Sequence, residues 1–144
     1  MKEFEPRTQL FSFVLRETIR SRKVLADKFS ADGINLKVEQ YVVLELIYAK
    51  VGITQQDIAE TLQKDKTIVL RQVRGLIEEG LVVRRIDTID GRKKNLMLTP
   101  KGRALYKKAS ASSMELSTDI LKDLTEEEVE MMKKLCSTVS NYSK

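Results

Sequence analysis

Residues 65–98 read DKTIVLRQVRGLIEEGLVVRRIDTIDGRKKNLML, and the rest of the chain can be understood as support for this stretch. Asp65 is a typical helix N-cap, and Gly80 readily takes the left-handed conformation in which many helices end. Between them, four apolar residues recur at the spacing that buries one face of a helix: Val69, Val73, Leu76 and Ile77. The sequence therefore predicts a helix over 66–79.

The other face of this helix is cationic, and so is the segment that follows it. Five residues are left facing outwards: Lys66, Thr67, Leu70, Arg71 and Arg74. Residues 81–87 and 94–98 read as two strands, joined by a turn in which Asp90-Gly91 is a strong hairpin signal. A cationic helix beside a cationic hairpin suits the groove and the phosphate backbone of a DNA duplex.

Positive charge is concentrated in this part of the chain. Residues 64–94 contain nine Lys or Arg and five Asp or Glu, so they hold an excess of +4 out of the formal net charge of +5. A polyanion is the natural partner of such a patch. The alternative is an ordinary solvated charged face.

The composition argues against several other classes of protein. The 144 residues are 42% hydrophobic and 33% charged, without an apolar run near the roughly 20 residues that span a bilayer, so we expect one soluble, cytoplasmic domain. The chain has no His and one Cys, which excludes the usual zinc sites and histidine bases, and we expect neither cofactor nor enzyme activity. No aromatic residue lies between Ala49 and Leu105 to stack unpaired bases, which disfavours single-stranded RNA.

Three helices are predicted before residue 65. The first covers residues 5–29 and is broken at Asp32-Gly33, and the second covers about 38–50, with Asn35 as its only candidate cap. Thr54-Gln55-Gln56-Asp57 is a capping box that opens a short helix over 55–62. Two short helices joined by a tight turn and followed by a hairpin predict a winged helix-turn-helix.

Two helices are predicted after the hairpin. Thr99-Pro100 is a strong start for the first, which extends to about Asp119 although Ser110–Ser113 weakens its middle. A second capping box at 125–128 opens the last helix, whose apolar face is predicted to bury Cys136 as a structural residue. The outer helices carry more apolar surface than the small core can cover, so we expect them to pair with a second copy; folding back on their own core is the alternative.

The predicted DNA contacts follow from these elements. Lys66, Thr67, Arg71 and Arg74 would read or position the major groove, while Ile68 and Leu70 either touch thymine methyl groups or complete the core. Arg92 at the hairpin tip would reach the minor groove, with its guanidinium held by Asp90 through a paired hydrogen bond. The remaining predicted DNA-binding residues are Thr54, Gln55, Lys64, Arg84, Arg85, Lys93 and Lys94.

Aromatic residues on the first two helices suggest a second kind of site. Phe11, Phe13, Tyr41 and Tyr48 either line a pocket for an apolar ligand or pack in the core.

From Leu36 to Gly102 the sequence resembles the MarR (multiple antibiotic resistance regulator) family. The segments that carry the resemblance are QYVVL at 40–44, ITQQDIA at 53–59, DKT at 65–67, LIEEGLV at 76–82, DGR at 90–92 and LTPKG at 98–102. Lys37 stands where the family usually has a capping hydroxyl. The reactive cysteine that some members of the family use near the N-terminus has no counterpart here.

The resemblance implies a mainly α fold with a small β-hairpin wing. Residues 36–100 would form the winged DNA-binding lobe and residues 1–35 and 101–144 the dimerisation helices of a single domain. It also implies a homodimeric repressor or activator that binds a pseudo-palindromic operator, with Arg92 matching the wing arginine that enters the minor groove. In many members a small aromatic or lipophilic effector releases the DNA. The alternatives are a non-specific architectural DNA-binding protein and a winged protein-interaction module.

Overall fold

The computed structural model describes residues 3–86 and 88–142, and over these ranges the chain is helical apart from one antiparallel hairpin. The predicted mainly α fold with a β-hairpin wing is confirmed. Asp87, the predicted last residue of the first strand, lies outside the described residues. In chain order the elements are α1 Pro6–Ala31, α2 Val38–Ala49, α3 Gln55–Leu62, α4 Lys66–Glu78, β1 Val82–Ile86, β2 Lys94–Leu98, α5 Pro100–Leu121 and α6 Glu126–Tyr142.

The core lies where α4 packs against α2 and α3. Val69, Val73 and Leu76 of α4 are fully buried, as the spacing predicted, and they join Ile58 of α3 and Leu44 of α2, which are also fully buried. Burying aliphatic side chains of this size stabilises the fold by roughly 1.5–3 kcal/mol each. The opposite face of α4 is thereby kept in solvent.

Side chains cap the starts of α3, α4 and α6 as the sequence predicted. At α3, the Thr54 hydroxyl accepts from the Asp57 amide at 3.1 Å, while the Asp57 carboxylate accepts from the Thr54 amide at 3.0 Å. At α4, the Asp65 carboxylate accepts from the Thr67 amide at 2.7 Å. At α6, Thr125 and Glu128 bond each other's amides at 3.2 and 3.0 Å.

The start of α2 differs from the prediction. Lys37, not Asn35, is the N-cap residue, and its amide donates to the Gln40 side-chain oxygen at 2.9 Å. A lysine side chain has no acceptor, so this helix keeps only the half of a capping box that its third residue supplies.

The hairpin is hydrogen-bonded to the segment that precedes α3. Its register pairs Val82 with Leu98 and Ile86 with Lys94, and the Leu96 amide donates to the Ile53 carbonyl at 2.8 Å. This last bond joins β2 to the segment that enters α3. The wing therefore has a defined position beside the helix-turn-helix.

The start of α5 closes tightly on the start of the wing. The Thr99 amide donates to the Leu81 carbonyl at 3.0 Å, and its hydroxyl donates to the Gly80 carbonyl at 2.6 Å while accepting from the Gly102 amide at 3.0 Å. A Cβ on Gly102 would lie 2.0 Å from the Leu81 carbonyl oxygen. Only glycine fits at this contact.

The serine-rich middle of α5 does not interrupt the helix, which was the predicted weak point. Ser112 is 5% exposed, and its hydroxyl donates to the Asp32 carboxylate at 2.6 Å. Lys28 contacts the same carboxylate at 3.0 Å. The Ser112 hydrogen bond and the Lys28 ammonium lower the pKa of Asp32 and tie α1 to α5.

The prediction that Cys136 is buried is wrong for the single chain. Cys136 is exposed, and no residue of α6 is buried. The apolar face of α6 instead lines an open cleft of about 710 Å³, opposite Phe11, Val14 and Leu15 of α1. The amphipathic pattern is present, but the chain itself does not fill the space in front of it.

Within residues 3–86 and 88–142, none of the helices combines the length and apolarity that crossing a bilayer requires.

Gly102→Ala should lower the free energy of unfolding by about 1–3 kcal/mol, because the added Cβ collides with backbone and not with a movable side chain. Gly75→Ala in α4 is the matched control, since a Cβ there meets no atom within 4 Å. It should stabilise the protein by about 0.5–1 kcal/mol, the usual gain on replacing a helical glycine. Urea denaturation of both variants measures this; equal effects of the same sign would contradict the close contact.

Asp57→Asn should make the free energy of unfolding depend less on pH in the acid range. The Thr54 amide bonded to the carboxylate holds the pKa of Asp57 below its usual range. A depressed pKa stabilises the fold above the unfolded-state value of about 4, and this contribution is lost as the pH falls towards the folded-state value. The difference in unfolding free energy between wild type and variant should therefore be largest near neutral pH and shrink in acid. Asp123→Asn on an exposed turn is the control, and a pH-independent difference for Asp57→Asn would refute the argument.

Candidate nucleic-acid interface

The solvent face of α4 carries polar and cationic side chains. Lys66, Thr67, Arg71 and Arg74 are exposed. Ile68 is 47% exposed, so of the two readings of this residue the structure excludes a core position. A helix of ordinary diameter with such a face fits the major groove of B-DNA, which is about 12 Å wide.

Leu70 is half-buried and lines a cleft between α3, α4 and the wing. The cleft has a volume of about 780 Å³. Its described lining contains five cationic and two acidic side chains: Lys50, Arg84, Arg92, Lys93 and Lys94, with Asp57 and Glu60. The cleft is therefore positive overall, and it joins the solvent face of α4 to the inner face of the wing.

Two residues predicted to contact DNA from the start of α3 already have partners within the protein. The Thr54 hydroxyl caps α3. The Gln55 side-chain oxygen accepts from the Arg84 guanidinium, with the Nε at 3.0 Å and one Nη also in contact. Arg84 thus connects β1 to α3, and in this state it holds the wing in place.

Arg84 and Arg85 do not share a face, although they are adjacent in the sequence. Successive side chains of a strand point to opposite sides. Arg84 lines the cleft beside α4, whereas Arg85 lines a second cleft of about 430 Å³ with Tyr48 and Arg103. The two arginines, both predicted from the sequence to contact DNA, therefore lie in different clefts on the two sides of the wing.

Hydrogen bonds to Asp90 within the turn fix the conformation of the hairpin tip. The Arg92 amide donates to the Asp90 carboxylate and the Lys93 amide to the Asp90 carbonyl, both at 3.0 Å. The Arg92 Nε lies 3.6 Å from Asp90 Oδ1, which is an ion pair and too long for the predicted paired hydrogen bond. The Arg92 side chain is 95% exposed. Asp90 therefore shapes the turn and leaves the guanidinium projecting from the tip.

The turn between α3 and α4 is also cationic and exposed. Lys64 is exposed, and its amide donates to the Ala59 carbonyl at 3.0 Å. Gln63 before it takes a left-handed conformation, with φ at 52°, where the sequence offers no glycine. The Thr67 amide bonded to Asp65 lowers the pKa of that carboxylate, which therefore stays charged at the start of α4.

The four aromatic residues predicted for a ligand site do not line one pocket. Tyr41 is buried and packs edge-on against Phe29, with ring centroids 5.3 Å apart. Tyr48 lines the cleft behind the wing. Phe11 lines the cleft opposite α6, and Phe13 packs against Phe4 at 5.7 Å.

Among the residues that line the cationic cleft, Lys50, Gln56 and Asn95 were not identified from the sequence. Lys50 follows α2 and lies 3.4 Å from the Asp57 carboxylate, and Asn95 is in β2. Each is an ordinary polar residue in its local segment. These residues are grouped only by their proximity in the folded chain.

Within the described part of the chain, no cluster of three or more His, Cys, Asp or Glu side chains is arranged to hold a metal ion.

Comparison with known sequences identifies related regulators. The model of the MarR family matches residues 36–94. The transcriptional regulator BilQ of Clostridium symbiosum is 32% identical over 67% of this chain and 66% of its own length. The transcriptional regulator TcaR of Staphylococcus aureus is 29% identical over 90% of this chain and 89% of its own.

Comparison with solved structures gives the same relationship over nearly the whole chain. The S. aureus MepR–DNA complex superposes with a TM-score of 0.77 at 27% identity, covering 95% of this chain and 96% of that one. CouR of Rhodococcus jostii RHA1 bound to p-coumaroyl-CoA superposes with a TM-score of 0.80 at 26% identity, covering 90% of this chain and 91% of that one.

The family match covers α2 to the start of β2, the segment that builds the cationic cleft, and the structural agreement extends through the outer helices. The chain therefore belongs to the MarR family of transcriptional regulators.

Proposed function

We propose that two copies of this chain form a dimer that binds a double-stranded DNA operator in a sequence-specific manner and represses transcription from it. The observation that carries this proposal is the continuous cationic surface formed by the solvent face of α4, the cleft beside it and the wing tip. The role is one of binding without catalysis, and the protein acts in the cytoplasm, where its DNA is. The DNA complex of MepR, whose fold this chain shares, supports the same role.

In this proposal α4 enters the major groove. Arg71 and Arg74 are exposed on the side opposite the buried face, where a guanidinium can donate two hydrogen bonds to guanine. Lys66 and Thr67 at the start of the helix contact phosphates or base edges, and Ile68 lies where it can meet a thymine methyl group.

The wing takes the adjacent minor groove and backbone. Arg92 projects from a turn fixed by Asp90, so its guanidinium reaches a narrow, electronegative groove with little further ordering. Lys93 and Lys94 contact phosphates. Arg84 acts through Gln55 to hold the wing at the correct distance from α3.

The outer helices form the dimer. Large apolar side chains are exposed along α1, α5 and α6, among them Ile19 at 67%, Met114 at 66% and Met131 at 72%. Together with the open cleft in front of α6, these exposed apolar faces are of the kind that marks a protein–protein interface. A second copy covers them, and Cys136 becomes buried there.

Binding of a small aromatic or lipophilic effector releases the DNA. The ligand complex of CouR supports an effector for this chain as well. Tyr48 and Phe11 are the two of the four predicted residues that line open clefts, one behind the wing and one beside α6. A ligand at either place would press on the wing or on the dimer helices and so change the distance between the two α4 helices.

Arg92→Ala should weaken binding to a selected operator by roughly 1–3 kcal/mol and relax its sequence preference, because a base contact is lost. Lys93→Ala should weaken binding to all duplexes alike and reduce the slope of log affinity against log salt by about one, because a phosphate contact is lost. Fluorescence anisotropy with duplexes selected from a random pool measures both.

Lys122→Ala, which removes an exposed cation at the end of α5, is the control and should bind as wild type. Unchanged affinity in both wing variants would reject the wing model. Equal affinity of the wild type for every duplex would favour the architectural alternative, and absence of salt-dependent binding would favour a protein-interaction module.

Val139→Asp should convert the dimer into a monomer, because it places a charge on the apolar face of α6. Ser137→Asp, on the same helix but about half a turn away, is the matched control and should remain dimeric. Light scattering at micromolar concentration distinguishes the two. A wild-type protein that is monomeric under these conditions would remove the dimer from the proposal.

A further inference from the structure

One residue of the wing tip is unlike its neighbours. Ile89 is 97% exposed, although it precedes a turn whose other side chains are Asp90, Arg92 and Lys93. Ile89 lies outside both strands, in the turn that joins them, and it is more exposed than any apolar residue of β1 or β2. A β-branched aliphatic side chain in water contributes nothing to the stability of the folded chain.

We propose that Ile89 packs against the deoxyribose walls of the DNA minor groove, where it positions the wing for the Arg92 contact. This inference rests on the proposed DNA-binding function and names a further contact residue within it. The groove walls present sugar C–H groups between two lines of phosphate, so an aliphatic side chain and neighbouring cations can both be satisfied there.

The geometry of the tip supports this assignment. The Asp90 carboxylate and carbonyl accept from the Arg92 and Lys93 amides at 3.0 Å, so the backbone that carries the cations is fixed directly after residue 89. The Arg92 side chain, three residues after Ile89 in the chain, is 95% exposed. When the guanidinium enters a groove, the preceding side chains of the turn are brought against its wall.

Charge complementarity selects DNA over an apolar partner. Arg92, Lys93 and Lys94 follow Ile89 within five residues, and the cleft behind them is positive overall. A protein or lipid surface that covered only the isoleucine would leave these cations against an uncharged partner. A duplex satisfies both features together.

Ile89→Ser tests the proposal without a risk to folding, because the side chain is almost fully exposed. We expect about a tenfold loss of operator affinity, the loss that corresponds to removing roughly half of an isoleucine side chain from an interface. The salt dependence should be unchanged, since no charge is removed. Ile89→Val should bind nearly as wild type. Val51→Ser, at a fully exposed aliphatic residue in the loop before α3, should have no effect.

A further measurement separates the minor groove from the major groove. An operator with uracil in place of thymine lacks only the methyl group in the major groove, so the ratio of affinities between wild type and Ile89→Ser should be the same on both duplexes. Loss of that ratio on the uracil duplex would overturn the assignment.

The inference and the function on which it rests fail in different ways. If Arg92→Ala weakens binding while Ile89→Ser does not, the contact of Ile89 is refuted and the proposed function stands. If neither Arg92→Ala nor Lys93→Ala changes affinity, the proposed wing contacts themselves are refuted.

Discussion

The structure depends on one backbone junction, where the end of α4, the start of the wing and the start of α5 meet. Thr99 donates through its amide to the Leu81 carbonyl and through its hydroxyl to the Gly80 carbonyl, and the same hydroxyl caps α5. Gly102 permits the close approach, since any side chain would collide with the Leu81 carbonyl. Because three elements share these few bonds, the angle of the wing relative to α4 is determined where the hairpin begins.

The strands of the wing are also hydrogen-bonded to the residues around the start of α3. The Leu96 amide bonds to the Ile53 carbonyl, and Arg84 reaches across to Gln55. A hydrogen bond from a charged donor is worth more than a neutral one, so the guanidinium is well suited to fasten a two-stranded hairpin that has little core of its own. The protein therefore uses one arginine to support the wing and keeps Arg92 projecting from its tip.

The distribution of apolar surface separates a buried core from helix faces that the chain leaves uncovered. The core is filled by residues of α2, α3, α4, the base of the wing and α5, with Phe29 and the partly buried Leu25 from the end of α1. The earlier part of α1 contributes nothing to this core, and no residue of α6 is buried. A helix with one apolar face that its own chain leaves uncovered requires a partner, and the proposed second copy provides one.

The sequence by itself determined the features that depend on near neighbours along the chain. Thr54, Asp65 and Thr99 predicted where three helices start, and Asp90-Gly91 predicted the turn of the hairpin, because caps and turns are built from atoms a few residues apart. The 3.6-residue spacing of apolar residues predicted the buried face of α4. The positions of the exposed cations on α4 followed for the same reason.

Only the tertiary structure decided which side chains meet across distance. It assigned Arg84 to Gln55 and Arg85 to another cleft, brought Lys50 and Asn95 beside the wing, left Cys136 exposed, and placed the four aromatic residues in separate environments. The spacing of apolar residues shows that one face of a helix is apolar. It does not show what covers that face, because this depends on how elements far apart in the chain are oriented in space.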